Sequence, residues 1–391
     1  MISWSHGPRR VGSVRWQAWT LSATLALVFG LLLVNGCSGG MKSAITASPA
    51  ASFAFIANSG SGNVSAFAVG PKGVLSPVAG SPFQADAGAE FMAFDSLHQL
   101  LFVSNQNAND LSAFSVNRST GVLTPVPGSP FATGATPHGV AVDPAGRFVF
   151  AGNQSDNSVS VFAISATNGA LTPLPGSPFK GIDSPFGVTV NPAGTFLYVN
   201  NFSANTVSAL QIDPASGALS PATVSPFATG QTPIGLIADP NGKFVYVGNH
   251  MGNSITAYSV NPSSGALTPV GGEPNSSGAC SVSCHTNPLR LAIDPTDRFA
   301  YVTDVGNNSV SAFSLNNGTL SPVASPVPTG QHPFGVALDP SGKFLYVVNK
   351  VDNTISAFVV DPTQGMFASV PGAPFPAGGG GPVGIVIVPK Q

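Results

Sequence analysis

The sequence is poor in charged residues. Asp, Glu, Lys and Arg together make up 8% of its 391 residues, whereas a soluble domain has roughly 25%. Three of the 14 basic residues, Arg9, Arg10 and Arg15, precede Cys37 in a segment without acids, so the remainder has 11 basic and 16 acidic residues. Such a chain has no basic surface for phosphates, which excludes a nucleic-acid partner. The same composition excludes a coiled coil and a highly charged disordered protein.

Cysteine is also scarce, with three residues in the chain, and the first follows an apolar segment. Residues 21–34 are uncharged, and Cys37 closes the sequence V-N-G-C directly after them. A basic segment followed by an apolar run is typical of a secretory signal. The four letters resemble the lipobox of bacterial lipoproteins, which implies a signal peptide at 1–36 and a lipid anchor on Cys37. The alternative is an uncleaved membrane anchor that includes residues 19–34.

Both alternatives place the rest of the chain outside the cytoplasm. Ser38 after the cysteine resembles lipoproteins that are sent to the outer membrane. We therefore expect a location in the cell envelope of a Gram-negative bacterium, at the outer membrane or in the periplasm. Residues 37–51 are rich in Gly, Ser and Ala, which predicts a flexible tether.

One sequence pattern occurs seven times in the remainder. It consists of an apolar run that ends in Asn, a turn, V-S-A-F, A-L-T-P-V-P-G-S-P-F and P-x-G-V-A-V-D-P-x-G-K-F. The runs end about every 48 residues, at Asn58, Asn105, Asn153, Asn201, Asn249, Asp304 and Asn349. A second Asn follows four positions later in six units, at Asn109, Asn157, Asn205, Asn253, Asn308 and Asn353. We expect its side chain to close a tight turn by bonding to the backbone.

The repeated unit predicts strands and no helix. Its runs are short, rich in β-branched and aromatic residues, and bounded by Gly, Pro or Asn, which is typical of four antiparallel strands. Seven such units predict an all-β fold, a single monomeric seven-bladed β-propeller with four-stranded blades over residues 52–391. The chain starts in a second strand at Ser52 and ends in a first strand at 382–389. The C-terminal strand is therefore predicted to join the N-terminal blade and close the ring.

The repeats also resemble a known family. Segments such as Phe244 to Asn249 and Phe334 to Phe344 are similar to the seven-bladed propeller lactonases, which include 6-phosphogluconolactonases and carboxymuconate cyclases, and to YVTN-type surface repeats. The resemblance extends from about Phe53 to Val388 and implies lactone hydrolysis. Family members carry His, Arg and acidic residues around the central pocket, and this chain keeps few of them.

The first strand of each blade lines the channel of a propeller, so its opening residues face a ligand. One aligned position reads Glu90, His138, Phe186, Ile234, Leu289, Phe334 and Val383. The next reads Phe91, Gly139, Gly187, Gly235, Arg290, Gly335 and Gly384, where we expect the glycines to let strands approach the axis. A lactonase needs a base or proton relay and a cation for the oxyanion. The polar exceptions Glu90, His138 and Arg290 are therefore the candidate catalytic residues.

Other polar residues are expected to be structural. The repeated Asp-Pro turns place Asp143, Asp239, Asp294 and Asp339 at the far end of the first strands. His250, His285 and His332 belong to connections on the same face as Glu90, where exposure to solvent is the ordinary outcome.

The remaining two cysteines lie in an insertion before the sixth unit, residues 271–287. Cys280 and Cys284 of an exported protein are most simply a disulfide. A variant haem-attachment motif and a zinc site that includes His285 are the two alternatives. We expect no cofactor or metal in the leading interpretation.

Two functions remain open from the sequence. The first is an exported lactonase for a sugar lactone or another small lactone. The second is a non-catalytic surface propeller that binds a glycan, polymer or protein. Fold alone does not decide between them.

Overall fold

The computed structural model describes residues 52–271 and 287–391. All regular elements in these two ranges are β-strands. None of the described residues belongs to a helix that is long and apolar enough to cross a membrane. The predicted lipidation of Cys37, the tether, the Cys280–Cys284 disulfide and His285 lie outside the described residues.

The strands follow one another in seven similar groups. Blades 1 to 4 contain β1 (Ser52–Asn58), β2 (Asn63–Val69), β3 (Leu75–Pro77), β4 (Phe83–Gln84); β5 (Ala89–Asp95), β6 (Leu100–Asn105), β7 (Asp110–Val116), β8 (Leu123–Pro125), β9 (Phe131–Ala132); β10 (Pro137–Val142), β11 (Phe148–Asn153), β12 (Ser158–Ile164), β13 (Leu171–Pro173), β14 (Phe179–Lys180); β15 (Pro185–Val190), β16 (Phe196–Asn201), β17 (Thr206–Ile212), β18 (Leu219–Pro221) and β19 (Phe227–Ala228). Blades 5 to 7 contain β20 (Pro233–Ala238), β21 (Phe244–Asn249), β22 (Ser254–Val260), β23 (Leu267–Pro269); β24 (Pro288–Ile293), β25 (Phe299–Asp304), β26 (Ser309–Asn316), β27 (Thr319–Pro322), β28 (Val327–Pro328); β29 (Pro333–Leu338), β30 (Phe344–Asn349), β31 (Thr354–Val360), β32 (Phe367–Ser369) and β33 (Phe375–Pro376). The last strand, β34 (Pro382–Pro389), returns to blade 1.

Each blade is an antiparallel sheet of four strands, as the sequence predicts. In six blades the outermost strand is split, so that a three- or four-residue piece and a two-residue piece pair with different parts of the third strand. The first strands β34, β5, β10, β15, β20, β24 and β29 contact one another in a closed circle around the channel. The fold is therefore the predicted seven-bladed β-propeller.

The ring closes in the predicted way. The C-terminal strand β34 pairs antiparallel with β1 over the full length of β1, from Ser52 opposite Pro389 to Asn58 opposite Pro382. Blade 1 thus takes its innermost strand from one end of the chain and its other strands from the opposite end. This pairing removes two sheet edges that would otherwise be exposed.

The glycines of the first strands serve contacts between blades. A Cβ atom on Gly139 would lie 2.5 Å from the carbonyl oxygen of Phe186, and one on Gly384 would lie 2.3 Å from that of Glu90. The obstructing atoms belong to the backbone of the next blade, which cannot move aside. Glycine is therefore required at these two positions, where the backbone of the neighbouring first strand lies against it.

The second Asn of each unit also differs from the prediction. Asn157 lies in a turn with a left-handed φ of 50°, but its Oδ1 accepts a hydrogen bond from the backbone N–H of Ser184 at 2.8 Å. Ser184 begins the next blade, so the side chain joins two blades rather than closing its own turn. Five further bonds repeat this link, from the N–H groups of Thr136, Thr232, Asn287, His332 and Gly381 to the side chains of Asn109, Asn205, Asn253, Asn308 and Asn353.

Candidate functional site

The inner strands bring seven side chains to one level of the channel, which we call the throat. They are Glu90, His138, Phe186, Ile234, Leu289, Phe334 and Val383, each less than 9% exposed. The strand register shifts just after this position, for example between Pro137 and Val140 in β10. Such an irregularity re-aims side chains. The five apolar members belong to one buried hydrophobic cluster, so the aligned position converges at the centre of the ring.

Glu90 and His138 form a direct contact in the throat. The Nδ1 atom of His138 lies 2.5 Å from Oε2 of Glu90, and its Nε2 atom lies 3.0 Å from Oε1 of Gln154. Glu90 is 5% and His138 is 3% exposed, whereas Gln154 is half-buried at the mouth. Both ring nitrogens are thus engaged, one by a buried carboxylate and one by an amide on the accessible side.

Aromatic rings hold this pair in place. The ring of His138 stacks on Phe186 with the centroids 4.1 Å apart, and Phe186 stacks on Phe202 at 5.7 Å. Phe91 lies 6.0 Å from both Phe186 and Phe334. These contacts fix the imidazole plane and exclude water from its inner face.

Arg290 lies one residue deeper than the throat position. Its guanidinium covers the face of Phe91 at 3.7 Å, and Nη1 donates to the carbonyl oxygen of Ile234 at 3.4 Å. Burial lowers the pKa of Arg290 to about 10, and the negative charge of Glu90 opposes this shift. The side chain is therefore cationic at neutral pH, and it is close enough to Glu90 for their charges to interact.

The three predicted residues thus converge only in part. Glu90 and His138 are hydrogen-bonded, but within residues 52–271 and 287–391 no carboxylate is in ion-pair contact with Arg290. The Nε and Nη2 atoms of Arg290 are buried without a hydrogen-bond partner.

Below Phe91 the channel widens into a cavity of about 140 Å³, which we call the chamber. Arg290 contributes the only polar side chain of its lining. The other main contributors are apolar residues of the first strands: Met92, Val140, Val188, Leu236, Leu291, Val336 and Ile385. Glu90 and His138 do not line the chamber.

A second group of titratable residues lies at the mouth. The imidazole of His332 stacks on Phe334 at 6.1 Å, and the Lys350 ammonium lies 5.3 Å from the same ring. Burial lowers the pKa of His332, and the nearby charges of Lys350 and His250 lower it further. Burial also lowers the pKa of His250. Both histidines are half-buried and not fully exposed to solvent.

Sequence reasoning did not identify Gln154 or Phe202 as part of the site. Both directly follow the residue that ends the second strand of their units, as do His250 and Lys350. An alignment of that position would have found these mouth residues, because the second strand ends beside the start of the first. Among the described residues, no group of three or more His, Cys, Asp or Glu side chains is arranged to hold a metal ion.

Comparison with known proteins supports the architecture. Residues 34–131, 129–178, 173–284 and 281–381 match the family described as "Lactonase, 7-bladed beta-propeller". A search of curated proteins found no match.

Solved structures give the same picture of the fold. A candidate 6-phosphogluconolactonase from Bacteroides fragilis is 21% identical with a TM-score of 0.73, covering 87% of this chain and 98% of that one. The periplasmic gluconolactonase of Pseudomonas aeruginosa is 19% identical with a TM-score of 0.73, covering 87% and 99%. At these identities the two structures support the fold alone. Since the family match spans most of the sequence, the chain belongs to the lactonase family of seven-bladed β-propellers.

Proposed function

We propose that this protein is an exported, lipid-anchored lactonase that hydrolyses a small, non-phosphorylated lactone at the throat. The observation that carries the proposal is the buried contact between His138 and Glu90. A carboxylate that holds one imidazole nitrogen fixes the ring and stabilises the imidazolium that forms when the other nitrogen takes a proton. The lactone class rests on the match to the lactonase family. The unphosphorylated form rests on the predicted export and on the scarcity of basic residues that could hold a phosphate.

The geometry supports a specific division of roles. Glu90 accepts a hydrogen bond from Nδ1–H of His138, which leaves Nε2 unprotonated and directed towards Gln154 and the mouth. In this protonation state the Gln154 amide is flipped, so that its NH2 group donates to Nε2 until water replaces it. Water attacks the lactone carbonyl carbon while Nε2 takes the water proton. When the ring C–O bond breaks, the imidazolium returns this proton to the leaving oxygen, and the product is a hydroxy acid. Arg290 supplies positive potential for the oxyanion that develops on the carbonyl.

The test is hydrolysis of glucono-δ-lactone and a panel of other unphosphorylated lactones by the purified protein. We expect Glu90→Gln and His138→Gln to lower kcat/KM by about 10²–10⁴-fold, the range for loss of a general acid–base group. His98→Gln is the matched control, because His98 forms a similar contact of 2.6 Å with Asp95 on the opposite face. If no lactone is hydrolysed above the uncatalysed rate, the proposal is wrong. If 6-phosphogluconolactone is the only substrate, the proposed substrate class is wrong.

One observation favours the alternative of a non-catalytic binding propeller. The throat pair is almost closed to solvent, while Met251 and Val351 beside the mouth are 60% and 58% exposed. Exposed apolar side chains beside a closed channel suit a surface ligand that covers the mouth. Binding of a glycan or protein that is abolished by Met251→Ser and Val351→Ser, without any lactone hydrolysis, would favour this function.

A further inference from the structure

The chamber below the throat combines an apolar wall with one incompletely bonded cation. Its wall side chains come from Met92, Val140, Val188, Leu236 and their counterparts in other blades, and no acidic residue lines it. A buried donor without an acceptor is unfavourable, and more so when it is charged. The chamber therefore has a strong requirement for a group that accepts hydrogen bonds from Arg290.

The free donors of Arg290 have a defined shape. Nη1 is occupied by the carbonyl oxygen of Ile234, and the guanidinium face is covered by Phe91. The unpartnered atoms are Nε and Nη2, which are the two donors on one edge of the planar group. Two parallel N–H groups on one edge match the two oxygens of a carboxylate. A single water molecule or a halide ion does not match both donors equally well.

The charge balance also favours an anion. The carboxylate of Glu90 acts on Arg290 through space, but its Oε2 atom is already bound to His138. No described ion pair involves Arg290. The apolar side chains around Arg290 cannot neutralise its charge. A second negative charge at the free edge of the guanidinium would do so.

The size of the chamber limits the ligand. An apolar cavity of about 150 Å³ in another protein binds benzene, and this chamber measures about 140 Å³. Its ligand therefore has about six non-hydrogen atoms by that comparison. We propose that the chamber is a binding site for a short aliphatic monocarboxylate of the size of butyrate, with the carboxylate on Nε and Nη2 of Arg290 and the alkyl chain among the apolar residues of the inner strands. This site adjoins the throat and shares Arg290 with the proposed reaction, but its test measures binding and not hydrolysis, so the two proposals can fail separately.

The experiment is direct binding to the purified full-length protein, measured by calorimetry and by the shift in Tm. Sodium butyrate is compared at equal ionic strength with sodium chloride, n-butanol and sodium octanoate. Butyrate is expected to bind at least about tenfold more tightly than each of these. It alone combines a carboxylate that pairs with both free donors of Arg290 and an alkyl chain that fits the chamber. Equal binding of chloride would show a simple anion site, and equal binding of butanol would show a simple apolar cavity. Either result, or the absence of a butyrate effect, would overturn the proposal.

Two variants locate the site. Arg290→Gln is expected to weaken butyrate binding by at least about tenfold. The glutamine amide is still polar, but it has neither the positive charge nor the pair of parallel N–H donors. Val336→Phe fills part of the chamber and leaves Arg290 in place, so it is expected to weaken butyrate more than acetate. Unchanged butyrate affinity in a folded Arg290→Gln variant would contradict the assignment. If a variant does not fold, the ligand series on the unmodified protein decides the question.

Discussion

His138 and Glu90 lie 48 residues apart in the sequence, and the Nδ1 atom of the first lies 2.5 Å from Oε2 of the second. They occupy equivalent positions on the first strands of adjacent blades, β10 and β5. Because neighbouring first strands are in contact around the channel, a substitution at the same position in two consecutive repeats creates a pair. This relationship forms the proposed catalytic dyad without any local sequence motif.

Gln154 is expected to position His138 in the proposed reaction. Its Oε1 atom lies 3.0 Å from Nε2 of His138, the nitrogen that exchanges the proton. We expect Gln154→Ala to lower kcat about tenfold, less than loss of the acid–base group itself, and to alter the pH profile of kcat. Gln106 occupies the equivalent position in blade 2, so Gln106→Ala is the control. Equal effects of the two substitutions on kcat and its pH profile would rule out a specific role for Gln154.

Asn157 is expected to stabilise the junction of two blades through its bond to the Ser184 N–H. Asn157→Gly keeps the left-handed backbone accessible and removes only the side-chain bond, so we expect a loss of about 1 kcal/mol in the free energy of unfolding. Asn157→Ala should lose roughly 1 kcal/mol more, since alanine disfavours a positive φ. Denaturant unfolding measures both. A glycine variant as stable as the natural protein would show that the link contributes nothing.

Gly139 is expected to tolerate no side chain. A Cβ atom there would lie 2.5 Å from the Phe186 carbonyl oxygen and 2.7 Å from the Val188 amide nitrogen, both backbone atoms. We expect Gly139→Ala to lower the free energy of unfolding by about 1–3 kcal/mol, the range for overpacking. Gly380→Ala is the control, because the nearest atom to its Cβ would be the Ser61 hydroxyl at 3.1 Å. The prediction fails if the two variants have the same denaturation midpoint.

Asp297 is expected to destabilise the far face at neutral pH. It takes the position of the turn glycines Gly146, Gly194, Gly242 and Gly342, with a φ of 57°. Burial raises the pKa of Asp239 in the adjacent blade, and the negative charge of Asp297 raises it further. The hydrogen bond that Asp239 accepts from the Phe244 N–H lowers this pKa but does not cancel the increase. A carboxyl whose pKa is raised by folding lowers stability as the pH rises above its unfolded value of about 3.9.

Replacement of Asp297 should therefore have a pH-dependent effect. We expect Asp297→Asn to raise Tm at pH 7 more than at pH 4, because it removes only the charge. Asp297→Gly should add a gain of about 1 kcal/mol that is independent of pH, from relief of the left-handed backbone. Thermal melts at the two pH values separate the effects. If Asp297→Asn raises Tm equally at both, the charge on Asp297 is not responsible.

Removal of residues 382–391 is expected to open the ring. It deletes β34, which pairs with β1 along its whole length, and exposes core residues such as Phe55 and Ile56. We expect loss of the cooperative thermal transition and aggregation on size-exclusion chromatography, since an unpaired apolar edge promotes association. Removal of Gln391 alone is the control. A truncated monomer with unchanged Tm would show that ring closure by β34 is dispensable.

The repeat made most of the fold predictable. The apolar runs that end at Asn58, Asn105 and their counterparts are short and are separated by turns at a fixed spacing. This pattern predicts short strands in small repeated sheets. The incomplete units at the two ends, beginning at Ser52 and finishing at Pro389, already implied closure of the ring. The function of the second Asn was interpreted wrongly, because its side chain acts across blades, and a pattern within one repeat does not show which neighbour an atom meets.

The candidate site was predictable only as a set of exceptions. Alignment of the repeats identified Glu90, His138 and Arg290, since each breaks a pattern of apolar residues or glycine. It did not show that the first two share a hydrogen bond while the third lies deeper against Phe91. A bulge at the start of the first strands decides the direction of each side chain, and bulges depend on pairing between strands.

The sequence by itself determined the number of blades, their strand order and the way in which the ring closes, because these follow from local periodicity and from the positions of the two ends. Only the tertiary structure decided which exceptional residues meet, that Gln154 joins them, and that Arg290 faces a separate chamber with two free donors. The physical reason is that the channel is built from seven strands distant in sequence. Its contacts are set by the packing and register of neighbouring blades, which no single repeat contains.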